Sequence, residues 1–237
     1  MLGTVLFTPY GRTGTALSAL IVVSCLIGLT MHSDFYAGRR RRDFFCYYTN
    51  VSNLIVLLYF ALVAPALYAT PALHALIPHV EFIVTMCITL TFCVFHLLLS
   101  PTVRIMVKSL PHTPNYRIMW VDNLFIHYIV PWLTLAYWIL CSPGKSALKL
   151  WDAPLFTLIP LLYLLLIFLR ARKGINIHGE NSPYPYPFLD CNARGIRRVM
   201  RTCMALFAIC LASALWVLLT LFLAFSRWGG GHAFILI

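Results

Sequence analysis

Residues 39–69 read RRRRDFFCYYTNVSNLIVLLYFALVAPALYA. Four arginines and an aspartate lead into Cys46–Ala69, a run of 24 residues without a charge. About 20 mostly apolar residues, rising 1.5 Å each, cross about 30 Å of hydrocarbon, so this run is long enough to span a bilayer. A cationic cluster set against such a run is the pattern of a helix entering a membrane from the cytoplasm. The run also opens on Tyr47-Tyr48-Thr49-Asn50-Val51-Ser52-Asn53, polar groups for which a lipid-facing helix has no use. Fold and candidate chemistry begin at the same place.

Five further stretches have the same character: Thr15–Met31, Val80–Leu99, Ile118–Cys141, Pro154–Leu169 and Thr202–Phe225. The whole chain agrees, with 61% apolar and 11% charged residues, against roughly 45–50% and about 25% in a soluble domain. That excludes a water-soluble globule, and 14% aromatic residues exclude a disordered chain. The expected fold class is therefore all-α, a polytopic bundle of six transmembrane helices. No internal repeat and no Gly/Ser linker divides residues 1–237, so a single domain is expected. Pro65, Pro71, Pro78, Pro101, Pro143 and Pro154 punctuate span ends, while Pro131 and Pro160 fall inside spans and predict kinks.

A net charge of +11 on a soluble chain would suggest nucleic acid as partner. Here the basic residues occupy the gaps between apolar runs, so no nucleic acid is expected and the charges report topology. Fourteen of the 18 Lys and Arg follow spans one, three and five: Arg39–Arg42, then Arg104, Lys108 and Arg117, then seven from Arg170 to Arg201. The remaining four are Arg12, Lys145, Lys149 and Arg227. The positive-inside rule puts the fourteen in the cytoplasm and both termini outside. A cleaved signal peptide over the first run would export Arg39–Arg42, so a mature first span is preferred. Cys25, Cys87, Cys93, Cys141, Cys203 and Cys210 lie in apolar runs and no C-x-x-C occurs, which implies small buried hydrophobes, with no metal and no cofactor.

Three polar groups fall at one depth. Span two opens on Thr49, Ser52 and Asn53; span three ends near His96; span four carries Asp122, Asn123 and His127. Thr49 and His127 stand roughly 10–13 Å above their helix starts. Thr49, Ser52 and Asn53 share a helix face, as do Asn123 and His127. A hydroxyl and an imidazole at matched depth make a candidate nucleophile–base pair; hydrogen-bonded glue between helices is the alternative. Haem between His96 and His127 is disfavoured by bulky Phe92, Phe95 and Leu97. Glu81, His74 and His79 read as a solvated helix end on the outer side. The segment Pro183-Tyr184-Pro185-Tyr186-Pro187-Phe188-Leu189-Asp190 is stiffened by alternating prolines. Tyr184, Tyr186, Phe188 and Asp190 are its candidate lid or lipid contacts; a stiff surface loop is the alternative.

Taken together, Tyr48-Thr49-x-x-Ser52-Asn53, His127-Tyr128-Ile129-Val130-Pro131 with Trp138, and Tyr184-Pro185-Tyr186-Pro187-Phe188-Leu189-Asp190 resemble the prokaryotic "Pr-six-Pr" six-span membrane proteins. That family is distantly similar to the androgen-induced membrane threonine hydrolases, which cleave fatty-acid esters of hydroxy fatty acids. The resemblance implies Thr49 as nucleophile, His127 as base and Asn123 as a supporting residue one turn earlier. Asn53 or Asn123 would be donors to an oxyanion, with membrane lipids as partners and a lipid ester as substrate. For a prokaryotic chain it implies the cell (plasma) membrane. The rival readings are a small transporter, or a lipid-binding or structural membrane protein without catalysis.

Overall fold

The computed structural model describes residues 11–33, 43–100, 121–177 and 181–227. Six helices are long and apolar enough to cross a membrane, which makes the chain an all-helical, multi-pass bundle. They are α1 (Arg12–His32), α2 (Tyr48–Ala69), α3 (Pro71–Leu99), α4 (Val121–Cys141), α5 (Asp152–Arg172) and, after the short α6 (Cys191–Arg194), α7 (Ile196–Arg227). No strand occurs among the described residues. The expected start of span four at Ile118, Arg39–Arg42 and Glu180 lie outside the described residues.

Several spans start earlier than the sequence suggests, for identifiable reasons. Proline read as a stop is tolerated in a first helical turn, where its missing N–H would have no partner anyway. Pro71 and Pro78 accordingly open a 3-10 turn, Pro71–Leu76, and the α-helix Ile77–Val94. Pro154 likewise sits in the first turn of α5. On α7 the helix runs back through Arg201, Arg198 and Arg197 to Ile196, because arginine is a good helix former and its head can reach water from a helix end. Gly195, at φ 76°, separates α6 from α7 in a backbone region that side chains rarely adopt.

Three spans are interrupted by single π-turns: Tyr59–Val63 in α2, Phe95–Leu99 in α3 and Phe125–Ile129 in α4. Each ends two residues before a proline of the sequence, Pro65, Pro101 and Pro131. A proline cannot donate to the carbonyl four residues back, and its ring crowds that carbonyl. The helix widens there, and the expected irregularity at Pro131 takes this form. Pro160 lies inside a continuous α5.

Helices α1 to α4 pack mutually, α5 leans on α3, and α7 on α5. Ile21, Cys25, Val56, Tyr59, Ile88 and Val130 form the centre of the four-helix core. Lipid is as apolar as these side chains, so close packing and interhelical hydrogen bonds hold the bundle together. Polar residues on the buried faces therefore matter most. Among the described residues, clusters of them stand at each end of the bundle. We call the end where α2, α4 and α7 begin the basic end, since fourteen of the 18 Lys and Arg belong to its connections.

Candidate functional site

At the basic end Thr49 stands in the first turn of α2, where backbone N–H groups lack helical partners. It is buried, 6% exposed. Its carbonyl accepts from the Ser52 hydroxyl at 3.0 Å and from Asn53 Nδ2 at 2.8 Å. Ser52 continues across the helix interface to the Thr91 hydroxyl on α3 at 2.6 Å. Asn53 Nδ2 also donates to the Ile126 carbonyl on α4 at 3.0 Å. One amide thus ties the residue carrying the hydroxyl to the neighbour of the residue carrying the imidazole.

His127 sits in the α4 π-turn, 5% exposed, with its ring stacked on Phe95 at 3.7 Å and 12°. Its Nδ1 makes no hydrogen bond among the described residues. No hydrogen bond joins it to Thr49. The Thr49 hydroxyl instead lies 3.5 Å from the Tyr186 hydroxyl, and Thr49 N–H donates to the same oxygen at 3.4 Å. Tyr186 comes from the proline-rich segment, 137 positions away, and no local signal in the sequence pairs the two.

That segment folds across the basic end. Tyr186 and Leu189 are buried against Tyr48, Tyr163 and Ile167, and the Tyr186 ring stacks on Phe188 at 5.2 Å. Tyr184 packs edge-on to Phe168. Burial pushes the Tyr186 hydroxyl above its ordinary value, and the Tyr184 hydroxyl up to about 12. Asp190 caps α6, accepting from Asn192 and Ala193 N–H and from the Ser182 hydroxyl. Burial alone would raise its carboxyl, but these three hydrogen bonds together hold it below the usual carboxylate range. Arg170 at the end of α5 clasps the fold: it pairs with Asp43 at 2.8 Å and donates to the Asn176 and Pro183 carbonyls.

Beneath the segment lies a cavity whose empty space, open mouth included, is about 750 Å³. Its walls are almost wholly apolar, with Phe95, Pro160, Leu189 and Phe207 among them, and Thr49 and Tyr186 at one side. His127 is not among the lining residues; Phe95, which lines the cavity, also covers its ring.

The other expected site residues lie apart. Asn123 donates through Nδ2 to Asp122 Oδ1 at 3.2 Å, and Asp122 Oδ2 meets His32 Nδ1 on α1 at 3.1 Å. His96 is exposed, stacked on Phe92, with Nδ1 3.3 Å from the Tyr128 hydroxyl. Among the described residues no group of three or more His, Cys, Asp or Glu could hold a metal ion.

At the opposite end the sequence reading misplaced Glu81. Glu81, expected at a solvated helix end, is only 2% exposed, and one carboxylate oxygen accepts from Tyr59 and Tyr68 hydroxyls at 2.8 Å each. Lys145 is buried nearby, donating to the Ile139 and Ser142 carbonyls. Burial lowers the Lys145 ammonium from its ordinary value, against the opposing effect of Glu81. His79 pairs with Asp152 at 2.8 Å, while His74 is exposed. Two tyrosines three and twelve residues from the span-two/span-three junction were the available signal: they are phenols on the helix that faces Glu81. Between the two polar ends stand Val56, Ile88 and Val130, each 0% exposed.

No family model matches the chain, and neither does any curated protein or solved structure compared with it.

Proposed function

We propose that this integral membrane protein hydrolyses lipid carboxylic esters, such as fatty-acid esters of hydroxy fatty acids, with Thr49 as nucleophile and His127 as base. One observation carries the reading: a buried threonine lines an apolar cavity beside the polar end of the bundle. Such a cavity suits an acyl chain, and the hydroxyl is where an ester at the end of that chain would be reached. The first turn of α2 adds the positive end of a helix dipole, which favours an anionic oxygen at Thr49.

In this reaction the Thr49 proton passes to His127 as Oγ bonds to the ester carbon. The tetrahedral intermediate then collapses, and the departing alkoxide takes that proton. Water, deprotonated in turn by His127, releases the fatty acid and restores the hydroxyl. A threonine hydroxyl is a weak nucleophile until a base activates it. The Phe95 ring must yield for the imidazole to reach Thr49; catalytic hydrogen bonds commonly tighten only once substrate is bound.

The test is hydrolysis of long-chain hydroxy-fatty-acid esters by purified protein in detergent. Thr49→Ala and His127→Ala should each lose activity, the double variant little more, and Thr49→Ser should keep part. Wild-type rates in both single variants, with folding intact, sink the proposal. The Tyr186 contact of the Thr49 hydroxyl favours a second reading, acyl-lipid binding without chemistry. A fluorophosphonate that labels wild type but not Thr49→Ala decides for the enzyme.

A further inference from the structure

An acyl-transfer site needs a donor for the oxygen that becomes negative as the nucleophile attacks. The structure removes the donors the sequence offers. Both N–H bonds of the Asn53 amide are committed, one to the Thr49 carbonyl and one to the Ile126 carbonyl. The Asn123 amide is engaged with Asp122. The Ser52 hydroxyl is held between the Thr49 carbonyl and Thr91.

From these contacts we infer that the Tyr186 hydroxyl is the catalytic donor that stabilises the oxyanion of the ester as Thr49 attacks it. Its oxygen lies 3.5 Å from Thr49 Oγ, and both residues line the same cavity. Thr49 N–H donates to that oxygen, which fixes the phenol beside the nucleophile and leaves its own proton to give. The neighbouring Tyr163 hydroxyl is not an equivalent candidate, because it donates to the Cys46 carbonyl at 2.7 Å. The phenol is held by its ring as well: Tyr47 meets it edge-on at 5.9 Å and Phe188 stacks on it at 5.2 Å. A donor fixed before the reaction, in an apolar surround, needs no reorganisation when charge develops.

The step balances with groups already named. Thr49 Oγ–H gives its proton to His127, and the Oγ–C bond forms. The carbonyl π pair moves onto oxygen, which accepts the Tyr186 O–H hydrogen bond. The pair returns as the alkoxide leaves, and Tyr186 keeps its proton throughout. In this role the proline-rich segment does more than cover the cavity, since it carries a donor without which the site is incomplete.

This inference rests on the hydrolase reading, and the experiment separates the two. Tyr186→Phe keeps the ring and both aromatic contacts and removes only the hydroxyl. On an oxo-ester its kcat should fall about 10²–10³-fold, as on losing one oxyanion donor, with KM within about threefold. The same long-chain ester carrying C=S in place of C=O accepts hydrogen bonds poorly. Wild type should prefer the oxo-ester well beyond the preference of hydroxide ion, and Tyr186→Phe should lose most of that excess. A merely structural role for Tyr186 would slow both esters alike. If Thr49→Ala is inactive while Tyr186→Phe keeps wild-type kcat, the donor assignment falls and the hydrolase reading stands. If Thr49→Ala matches wild type, both fall. Should Tyr186→Phe not fold, wild type alone decides: an oxo-to-thiono ratio equal to that of hydroxide overturns the assignment.

Discussion

Gly28 on α1 faces the α4 turn that carries His127. A Cβ added there would lie 2.6 Å from Ile126 Cγ2 and 3.1 Å from Phe125 Cβ. Both atoms are fixed close to the α4 backbone, and Ile126 is fully buried, so neither can swing aside. Gly28→Ala therefore opposes two effects. Alanine is favoured over glycine in a helix interior by about 1 kcal/mol. Overpacking a filled interface costs about 1–3 kcal/mol. Carbon contacts are comfortable at about 3.5–4.0 Å, so α1 and α4 must part by a large fraction of an ångström, and overpacking should win. We expect a net loss of about 0–2 kcal/mol in detergent-mediated unfolding. Turnover should suffer more, because the displacement falls on Ile126 and His127, and a misplacement of about 1 Å can cost about 10²-fold. Thermal midpoint and ester hydrolysis are measured on the same purified sample. A variant that melts above wild type and turns over normally refutes the close approach of α1 to the His127 turn.

Arg170→Gln should free residues 181–190 from Asp43 and raise KM; a charged hydrogen bond of this kind contributes about 1.5–3 kcal/mol, and unchanged amide exchange in that segment would remove the clasp. The segment should also show an asymmetric pH response. Burial raises Tyr186 above its ordinary 10.0, so its contribution is complete below that value and is lost only as pH rises through the higher folded one. Asp190 is held below its ordinary 3.8, so its contribution is present above that value and disappears as pH falls through the lower folded one; protection factors, taken relative to the intrinsic base-catalysed exchange rate, that fall between pH 5 and pH 9 would contradict both. Accessibility tags at residue 4 and residues 229–231 should report the outside, and one near residue 180 the cytoplasm. Both termini found in the cytoplasm would move the Thr49 cavity to the other leaflet.

The membrane class was legible because run length and hydropathy answer directly to bilayer thickness, and none of the six spans depends on tertiary contacts for its identity. Boundaries were less so. Pro71, Pro78 and Pro154 look alike in sequence whether they end one helix or open the next, and only the register of the following turn decides. Thr49, Ser52 and Asn53 stood out because each is a polar side chain within an apolar run. Their destinations were partly readable: Asn53 does bond across to α4 beside His127. The partner of Thr49 was not, since Tyr186 reaches it through a segment whose docking depends on Arg170, Tyr163 and Leu189 together.

The π-turns bear differently on the helix faces that spacing assigns in α2 and in α4. In α2 the polar residues Thr49, Ser52 and Asn53 precede the turn at Tyr59–Val63, so ordinary helical spacing keeps them on one buried face. In α4 the turn Phe125–Ile129 intervenes between Asn123 and His127. A wider turn changes the angle between the two side chains from the one that regular four-residue spacing gives. Asn123 bonds its neighbour Asp122, and the His127 ring stacks on Phe95. The cause is written four residues later: Pro131 has no N–H to give the His127 carbonyl, and Val130 N–H bonds the Phe125 carbonyl instead. The proline that predicts a kink is therefore what sets the direction of the imidazole. Pro131→Ala should let α4 close to ordinary helical spacing, turn His127 off Phe95 and reduce turnover even where the bundle becomes more stable.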